Sequence, residues 1–349
     1  MGQCISKIGP ESEAQNTAAT KTKNRITILI LGTPGSGKST VMKQFRILYG
    51  DGFSNSERAS GLSVIANNVM ESVSSCISMI DQTEIDNKGP KTSALNNLLK
   101  AATEDDSPGS KLQPKGKTKE LLKLAEDIWC NENVQDLFKD QMCDYGVRVT
   151  DADGYFLKRI KKMNSPSYVP TDDDLLHMRR VTDSVEEFKF TYRNCDFTVI
   201  DVGGRKAERR KWINLFSRAN MIIYSASLVD YDLALEDDPN VNSMGESLSV
   251  FESVVNLTYF QDTPLVLFLN KKDLLSKKVK AVSLADHFQD YKGPDDNPHE
   301  VVGYIKSKFL HKIKDKSRPV KVHIICATNT RDVKKAFEIS LDWVLEVGK

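Results

Sequence analysis

Apolar residues follow two rhythms along this chain, and the alternation between them predicts the architecture. Residues 25–31 read Arg-Ile-Thr-Ile-Leu-Ile-Leu, a β-branched run apolar on both faces, as a central strand of a parallel sheet must be. A glycine-rich turn follows. From Lys38 onward, Val41, Met42, Phe45 and Leu48 fall on one side of a 3.6-residue repeat, so the order is strand, loop, helix. Further strands are predicted at 188–192, 197–200, 221–226, 265–269 and 322–325. Helical patterns flank the last of these: Leu248, Phe251, Val254 and Val255 before one strand, and Val333, Phe337, Leu341 and Val344 after another. The prediction is an α/β fold with a mostly parallel sheet and helices on both faces. Between about 55 and 176 no strand pattern occurs. Val64, Ile65, Val69 and Ile80, then Leu121, Leu122, Leu124 and Ile128, keep helical spacing. An all-helical domain over 55–177 is therefore expected as an insertion into an α/β domain made of 25–54 and 178–349, after a polar arm over 1–24. Within the insertion, 105–117 is rich in Ser, Pro, Gly and Lys and is expected to be a mobile loop.

Charge and composition remove several classes of function. The 349 residues are 40% hydrophobic and 28% charged, and Lys+Arg 49 against Asp+Glu 48 leaves a net charge of +1. Without a basic excess, no nucleic-acid partner is expected. No apolar run approaches the roughly 20 residues that span a bilayer. The start, Met1-Gly2-Gln3-Cys4, lacks the apolar core of a secretory signal. Six cysteines with no CxxC pair and five histidines with no HExxH spacing argue against disulfide scaffolds and zinc sites.

Four short segments, each at the end of a predicted strand, carry the candidate chemistry. Gly32-Thr33-Pro34-Gly35-Ser36-Gly37-Lys38-Ser39 fits GxxxxGK[ST]. In such a loop backbone N–H groups wrap a phosphate at a helix N-terminus, Lys38 adds a point charge and the Ser39 hydroxyl ligates Mg²⁺. The strand before it and the amphipathic helix after it supply the required context. Asn270-Lys271-Lys272-Asp273 places a carboxylate where it can accept both N1–H and the 2-amino group of guanine, with a lysine stem over the purine face. Cys326-Ala327-Thr328 is placed to offer an N–H to the guanine carbonyl. Each alone is an ordinary turn after a strand; together at one sheet edge they point to a guanine site. Asp201-Val202-Gly203-Gly204 places a carboxylate to hold Mg²⁺ through water and a side-chain-free Gly204 N–H near a terminal phosphate. Arg179 and Thr182 lie where the helical insertion rejoins the sheet; an arginine there could reach a phosphate and a threonine hydroxyl a metal, but a charged loop is more often simply solvated, and composition alone marks neither residue.

In these segments the chain resembles the α subunits of heterotrimeric G proteins, from Ile26 to Val344. Tyr168-Val169-Pro170-Thr171 leading into Arg179, Glu208-Arg209-Arg210-Lys211-Trp212 after the DVGG, and Asp230-Tyr231-Asp232-Leu233 add to the likeness. The resemblance implies a Ras-like P-loop domain that binds GDP or GTP with Mg²⁺ under an inserted helical domain. It implies nucleotide contacts from residues 32–40 including Thr40, from Leu176, His177, Arg179 and Thr182, from Asp201 and Gly204, and from Asn270, Lys271, Asp273, Cys326, Ala327 and Thr328. Arg179 matches the built-in arginine finger, Thr182 the metal-binding threonine of the first switch, and 204–212 the second switch. The implied partners are a βγ dimer, a G-protein-coupled receptor and a downstream effector.

Several positions depart from the family pattern. Arg205 stands where Gln normally orients the attacking water, so the implied GTPase is expected to be slow, and a hydrolysis-deficient GTP-dependent binding module is the alternative. Pro34 and Gly35 interrupt the usual GxGESGKS, and Thr182-Asp183-Ser184 replaces Thr-Thr-Gly. The arm is short and contains Pro10, and the tail at Lys349 stops a few residues early, which bears on βγ and receptor binding. An ATP-using enzyme remains as a further reading if 270–273 is only a turn. Met1-Gly2-Gln3-Cys4-Ile5-Ser6 fits the MGxxx[ST] acceptor pattern, so Gly2 is expected to carry a myristoyl group and Cys4 a palmitoyl group, anchoring the chain at the cytoplasmic face of the plasma membrane.

Overall fold

The computed structural model describes residues 25–80, 118–130, 135, 154–180, 182, 184–235, 238–294 and 296–347, without the side chains of 74–80. The expected arm with Gly2 and Cys4, and the expected loop at 105–117, lie outside these residues.

In chain order the elements are β1 (Arg25–Leu31), α1 (Lys38–Tyr49), α2 (Asn55–Ile80), α3 (Thr118–Trp129), α4 (Ile160–Met163), α5 (Asp172–His177), β2 (Glu186–Tyr192), β3 (Cys195–Asp201), α6 (Ile213–Phe216), β4 (Met221–Ser227), α7 (Ser243–Val255), β5 (Leu265–Asn270), α8 (Lys272–Ala281), α9 (Pro298–His311), β6 (Val320–Ile324) and α10 (Thr330–Val347). The strands form one sheet in the order β2-β3-β1-β4-β5-β6. All neighbours run parallel except β2 and β3. That pair is a hairpin because Arg193 and Asn194, at φ 47° and 62°, make the two-residue left-handed turn whose twist matches antiparallel strands.

Alternation along the strands divides the core into two layers. Leu29 and Leu31 of β1 pack with Tyr224 and Leu267 against Phe251 of α7 and Phe309 of α9. Ile28 and Ile30 face the other way, with Phe197, Val266 and Phe268, and are covered by Phe45 of α1 and Phe337 of α10. The Phe45 and Phe337 rings stack at 3.7 Å. Each fully buried side chain of this size contributes about 1.5–3 kcal/mol by leaving water, so the sheet is the chief source of stability. A third cluster joins Ile65 and Val69 of α2, Leu122 and Ile128 of α3, and Phe156 and Ile160. It holds the helical elements that sequence places between α1 and β2. Among the described residues no helix is long and apolar enough to cross a membrane.

The parallel strands β1, β3, β5 and β6 all end on one edge of the sheet. Residues 32–37, 201–204, 270–273 and 326–328 therefore meet there, where ligands of open parallel sheets bind.

Candidate functional site

The phosphate-type loop is formed by tight backbone and buried bonds rather than by its own side chains. Gly37 caps α1 at φ 96°, and a Cβ on it would come 2.1 Å from Asn270 Nδ2, so only glycine fits. Asn270 is the brace between two loops. Its Nδ2 donates to the Ser36 carbonyl at 3.0 Å and its Oδ1 accepts from Ala327 N–H at 2.8 Å. Ser225 Oγ also donates to the Ser36 carbonyl, at 2.8 Å, and Gln44 Nε2 of α1 donates to the Ala327 carbonyl at 2.8 Å. Thr33 is buried, Pro34 is half-buried and Gly35 is exposed.

Lys38 is 6% exposed and its ammonium donates to the Thr33 carbonyl at 2.9 Å. Burial lowers its pKa to about 8, with Asp201 opposing and Arg209 adding to the fall. Asp201 is fully buried, and burial raises its pKa to about 6 against the pull of Lys38. Neither carboxylate oxygen makes a hydrogen bond of normal geometry, although the Ser39 hydroxyl and Val202 N–H lie close enough to favour the charged form. Beside it, Ser39 Oγ and Thr182 Oγ1 are 2.6 Å apart. Two hydroxyls and a buried, under-bonded carboxylate are the hard oxygen donors that Mg²⁺ prefers, so these residues fit that ion. Gly204 seals the other side. A Cβ on it would meet Lys38 Nζ at 2.5 Å and the Gly32 carbonyl at 2.6 Å, which places the 204 backbone directly over the loop.

The other end of the cleft is built from the β5 and β6 loops. Lys271, at φ 65°, opens α8, and its ammonium pairs with Asp230 Oδ1 at 3.1 Å, which also accepts from Ser227 Oγ at 2.7 Å. Asp273 stands exposed in the first turn of α8. Burial pushes the Cys326 thiol up, the Thr328 hydroxyl pulls it back and the neighbouring Asp273 carboxylate adds to the rise. Asp273, Cys326 and Thr328 are thus adjacent. Asp332 of α10 secures that loop, accepting from Cys326 N–H at 2.7 Å and pairing with Lys272 at 2.7 Å.

Between the helical elements and β2, Thr171 and Asp174 close the start of α5 with a reciprocal capping box. Leu176 is buried in α5, and the His177 ring lies flat on Tyr155 at 3.7 Å. Arg179 N–H donates to Asn68 Oδ1 of α2 at 2.8 Å. Thr40 is half-buried on α1. Arg205 is half-buried, and its carbonyl accepts from Glu208 and Arg209 N–H at 2.9 and 3.1 Å, starting the turn at 208–211. Arg209 Nε donates to the Gly204 carbonyl, Arg209 pairs with Glu246 of α7 at 2.6 Å, and Trp212 Nε1 donates to the Gly203 carbonyl at 2.9 Å.

Sequence reasoning missed Gln44, Ser225, Asp332, Asn68 and Glu246. Gln44, Ser225 and Asn68 lie within elements and act on segments far away in sequence, while Asp332 and Glu246 sit in the first turns of α10 and α7, where an acidic residue is ordinary, so no local pattern marks any of them. It also missed Lys43, one turn beyond the phosphate loop.

A six-stranded, mostly parallel sheet with a glycine loop, a DVGG turn and an NKKD turn on one edge, and helices inserted after α1, defines a Ras-like P-loop protein with a helical insertion. Comparison with known proteins makes the assignment narrower. The family model described as G-protein alpha subunit matches residues 6–343. Similar curated proteins include guanine nucleotide-binding protein alpha-1 subunit of Caenorhabditis briggsae, 34% identical over 99% of this chain and 97% of that protein. Another is guanine nucleotide-binding protein alpha-17 subunit of Caenorhabditis elegans, 31% identical over 99% of this chain and 98% of that protein. A third, guanine nucleotide-binding protein alpha-7 subunit of Caenorhabditis briggsae, is 33% identical over 99% and 97%. The chain belongs to the G-protein alpha subunit family.

Proposed function

We propose that this chain is a GDP/GTP-binding signalling switch in which residues 25–54 and 178–349 hold the nucleotide and the helical insertion at 55–177 closes over it. The observation that carries the reading is the Asn270 brace: one side chain ties the phosphate loop to the 326–328 loop, so phosphate and base ends belong to a single cleft. The phosphate end is formed by residues 32–40, Arg179, Thr182 and Gly204, and the base end by Asn270, Lys271, Asp273, Cys326, Ala327 and Thr328, with Leu176 and His177 as further nucleotide contacts. Ser39 and Thr182 would hold Mg²⁺ directly and Asp201 through water. The ion would supply charge neutralisation at the terminal phosphates.

In hydrolysis, Lys38 and Arg179 stabilise the charge that develops on the phosphoryl oxygens, in a cleft where low dielectric strengthens them. Arg205 offers donors only and remains protonated, so it cannot accept a hydrogen bond from the attacking water as Gln would. The proposed result is slow turnover and a resting population shifted toward the GTP-bound form. A second reading, a binding module that holds GTP without hydrolysing it, is favoured by the same Arg205. Single-turnover phosphate release from preloaded GTP separates the two, and competition of GTP against ATP tests the base site.

For partners, the proposal is a βγ dimer on the 204–212 segment, where Ile213 beside it is 66% exposed and apolar, with a receptor and an effector elsewhere on the surface. Myristoylation at Gly2 and palmitoylation at Cys4 would hold the protein at the cytoplasmic face of the plasma membrane.

The testing variant is Asp273→Asn, which exchanges an acceptor oxygen for an NH₂ donor. It should weaken GTP binding by about 1.5–3 kcal/mol and favour xanthine nucleotides, whose base offers an acceptor there. Unchanged base preference in competition binding would refute the guanine assignment.

A further inference from the structure

One peptide group, between Met178 and Arg179, is held at both ends by side chains from two different helices. Its carbonyl accepts from Lys43 Nζ of α1 at 2.8 Å. Its N–H donates to Asn68 Oδ1 of α2 at 2.8 Å, and Asn68 is only 5% exposed. The same ammonium donates to the Leu175 carbonyl at 2.8 Å, in the last turn of α5. Helix ends leave such carbonyls without intrahelical partners, and a cation there is favoured by the helix dipole. Burial lowers the Lys43 pKa to about 8, Glu186 opposing and Arg180 adding to the fall. Taking an ammonium out of water is costly, and two charge-assisted bonds to one short stretch of backbone offset that cost.

The geometry points to Lys43 and Asn68 as positioning residues for Arg179. With both poles of the preceding peptide plane fixed, the orientation of that plane and the positions of the Arg179 N and Cα are set, so the side chain departs from a fixed anchor and only rotation about N–Cα and its own torsions remain. Lys43 lies on the same helix as Lys38 and Ser39, so the clamp refers Arg179 to the phosphate loop through one rigid element. Asn68 refers it at the same time to the helical core that contains Val69. Displacements of about 1 Å in a charge-stabilising group cost up to 10²-fold in rate, which is why a backbone clamp outside the cleft would matter to the chemistry. The inference rests on the reading of Arg179 as the arginine that stabilises the phosphoryl oxygens. A helix cap that served stability alone would not couple to Arg179.

The test uses the full chain preloaded with GTP, single-turnover phosphate release, nucleotide affinity and thermal melting, in wild type and in an Arg205→Gln background where hydrolysis is expected to be faster. Arg179→Ala should slow release. Lys43→Met and Asn68→Ala should each slow it by roughly tenfold with nucleotide affinity retained. Asn68→Asp, which keeps an acceptor for the Arg179 N–H, should recover most of the rate. Combined with Arg179→Ala, neither Lys43→Met nor Asn68→Ala should slow release further, because each acts through that arginine. Additive losses in the double variants, or lower melting with unchanged release, would overturn the clamp while leaving the role of Arg179 standing. Undiminished release in Arg179→Ala would overturn both. Should Lys43→Met fail to fold, the Asn68→Ala and Asn68→Asp pair decides the question alone.

Discussion

Replacing Asn270 with alanine would remove two hydrogen bonds from a side chain that is 3% exposed, and the consequences at its two partners differ. The Ser36 carbonyl keeps the Ser225 hydroxyl as a donor, so it loses one of two bonds, worth about 1 kcal/mol net. The Ala327 N–H loses its acceptor and is left unsatisfied in the interior, which costs about 1–3 kcal/mol. The sum is ~2–4 kcal/mol, a large share of a stability that for most domains is about 5–15 kcal/mol. Asn270→Asp separates the two contributions. A carboxylate still accepts from Ala327, but its second oxygen faces the Ser36 carbonyl without a proton between them. That variant should be weakened at neutral pH and recover as pH falls and the carboxyl protonates, because its folded-state pKa is raised and the loss appears as pH rises through it. Urea unfolding without added nucleotide reads both effects. An Asn270→Ala protein within about 0.5 kcal/mol of wild type would refute the brace, and an Asn270→Asp protein with no pH-dependent recovery would refute the assignment of its two ends.

Three further outcomes follow from the geometry. Arg205→Gln should speed single-turnover hydrolysis at least roughly tenfold, about 1.4 kcal/mol in the barrier, and no gain would mean that the water is oriented by another group. Phe45→Ala, at a ring that is fully buried and stacked on Phe337, should cost ~3–5 kcal/mol in urea unfolding, and a loss below about 1 kcal/mol would show that α1 and α10 do not depend on that contact. For Asp174, burial pushes the carboxyl up, but bonds from Thr171 and Tyr155, with the Tyr168 hydroxyl close by, hold its pKa below the ordinary carboxylate value. Its contribution is present above the unfolded-state value near 3.9 and is lost as pH falls through the lower folded value, so Asp174→Asn should flatten the acid limb of melting temperature against pH.

The strands were legible because their apolar runs are short, β-branched and bounded by turns, and each observed strand overlaps its expected span. Only the edges moved: β6 begins at Val320 rather than 322, and β2 takes in Glu186 and Glu187, whose charges hide a strand that lies at the sheet margin. The reversal of β2 against β3 was not foreseen, because Arg193-Asn194 lacks the glycine that usually announces such a turn. At the site, the glycine loop and the NKKD turn were legible as loops at strand ends, since each is contiguous in sequence. Asn68 and Gln44 were not, since each meets its partner segment only after the chain has folded.

Helix α1 touches nearly every part of the cleft: Lys38 reaches back to the glycine loop, Ser39 to Thr182, Lys43 to the backbone before Arg179, Gln44 to the 326–328 loop and Phe45 to α10. Twelve residues therefore share one fate. Opening any part of that helix breaks contacts to several other regions at once, so its amide protons should exchange with solvent only when the whole α/β core unfolds, while those of the 204–212 segment escape through smaller fluctuations. The moving segments of such a switch then shift against a fixed axis, and α1 is that axis.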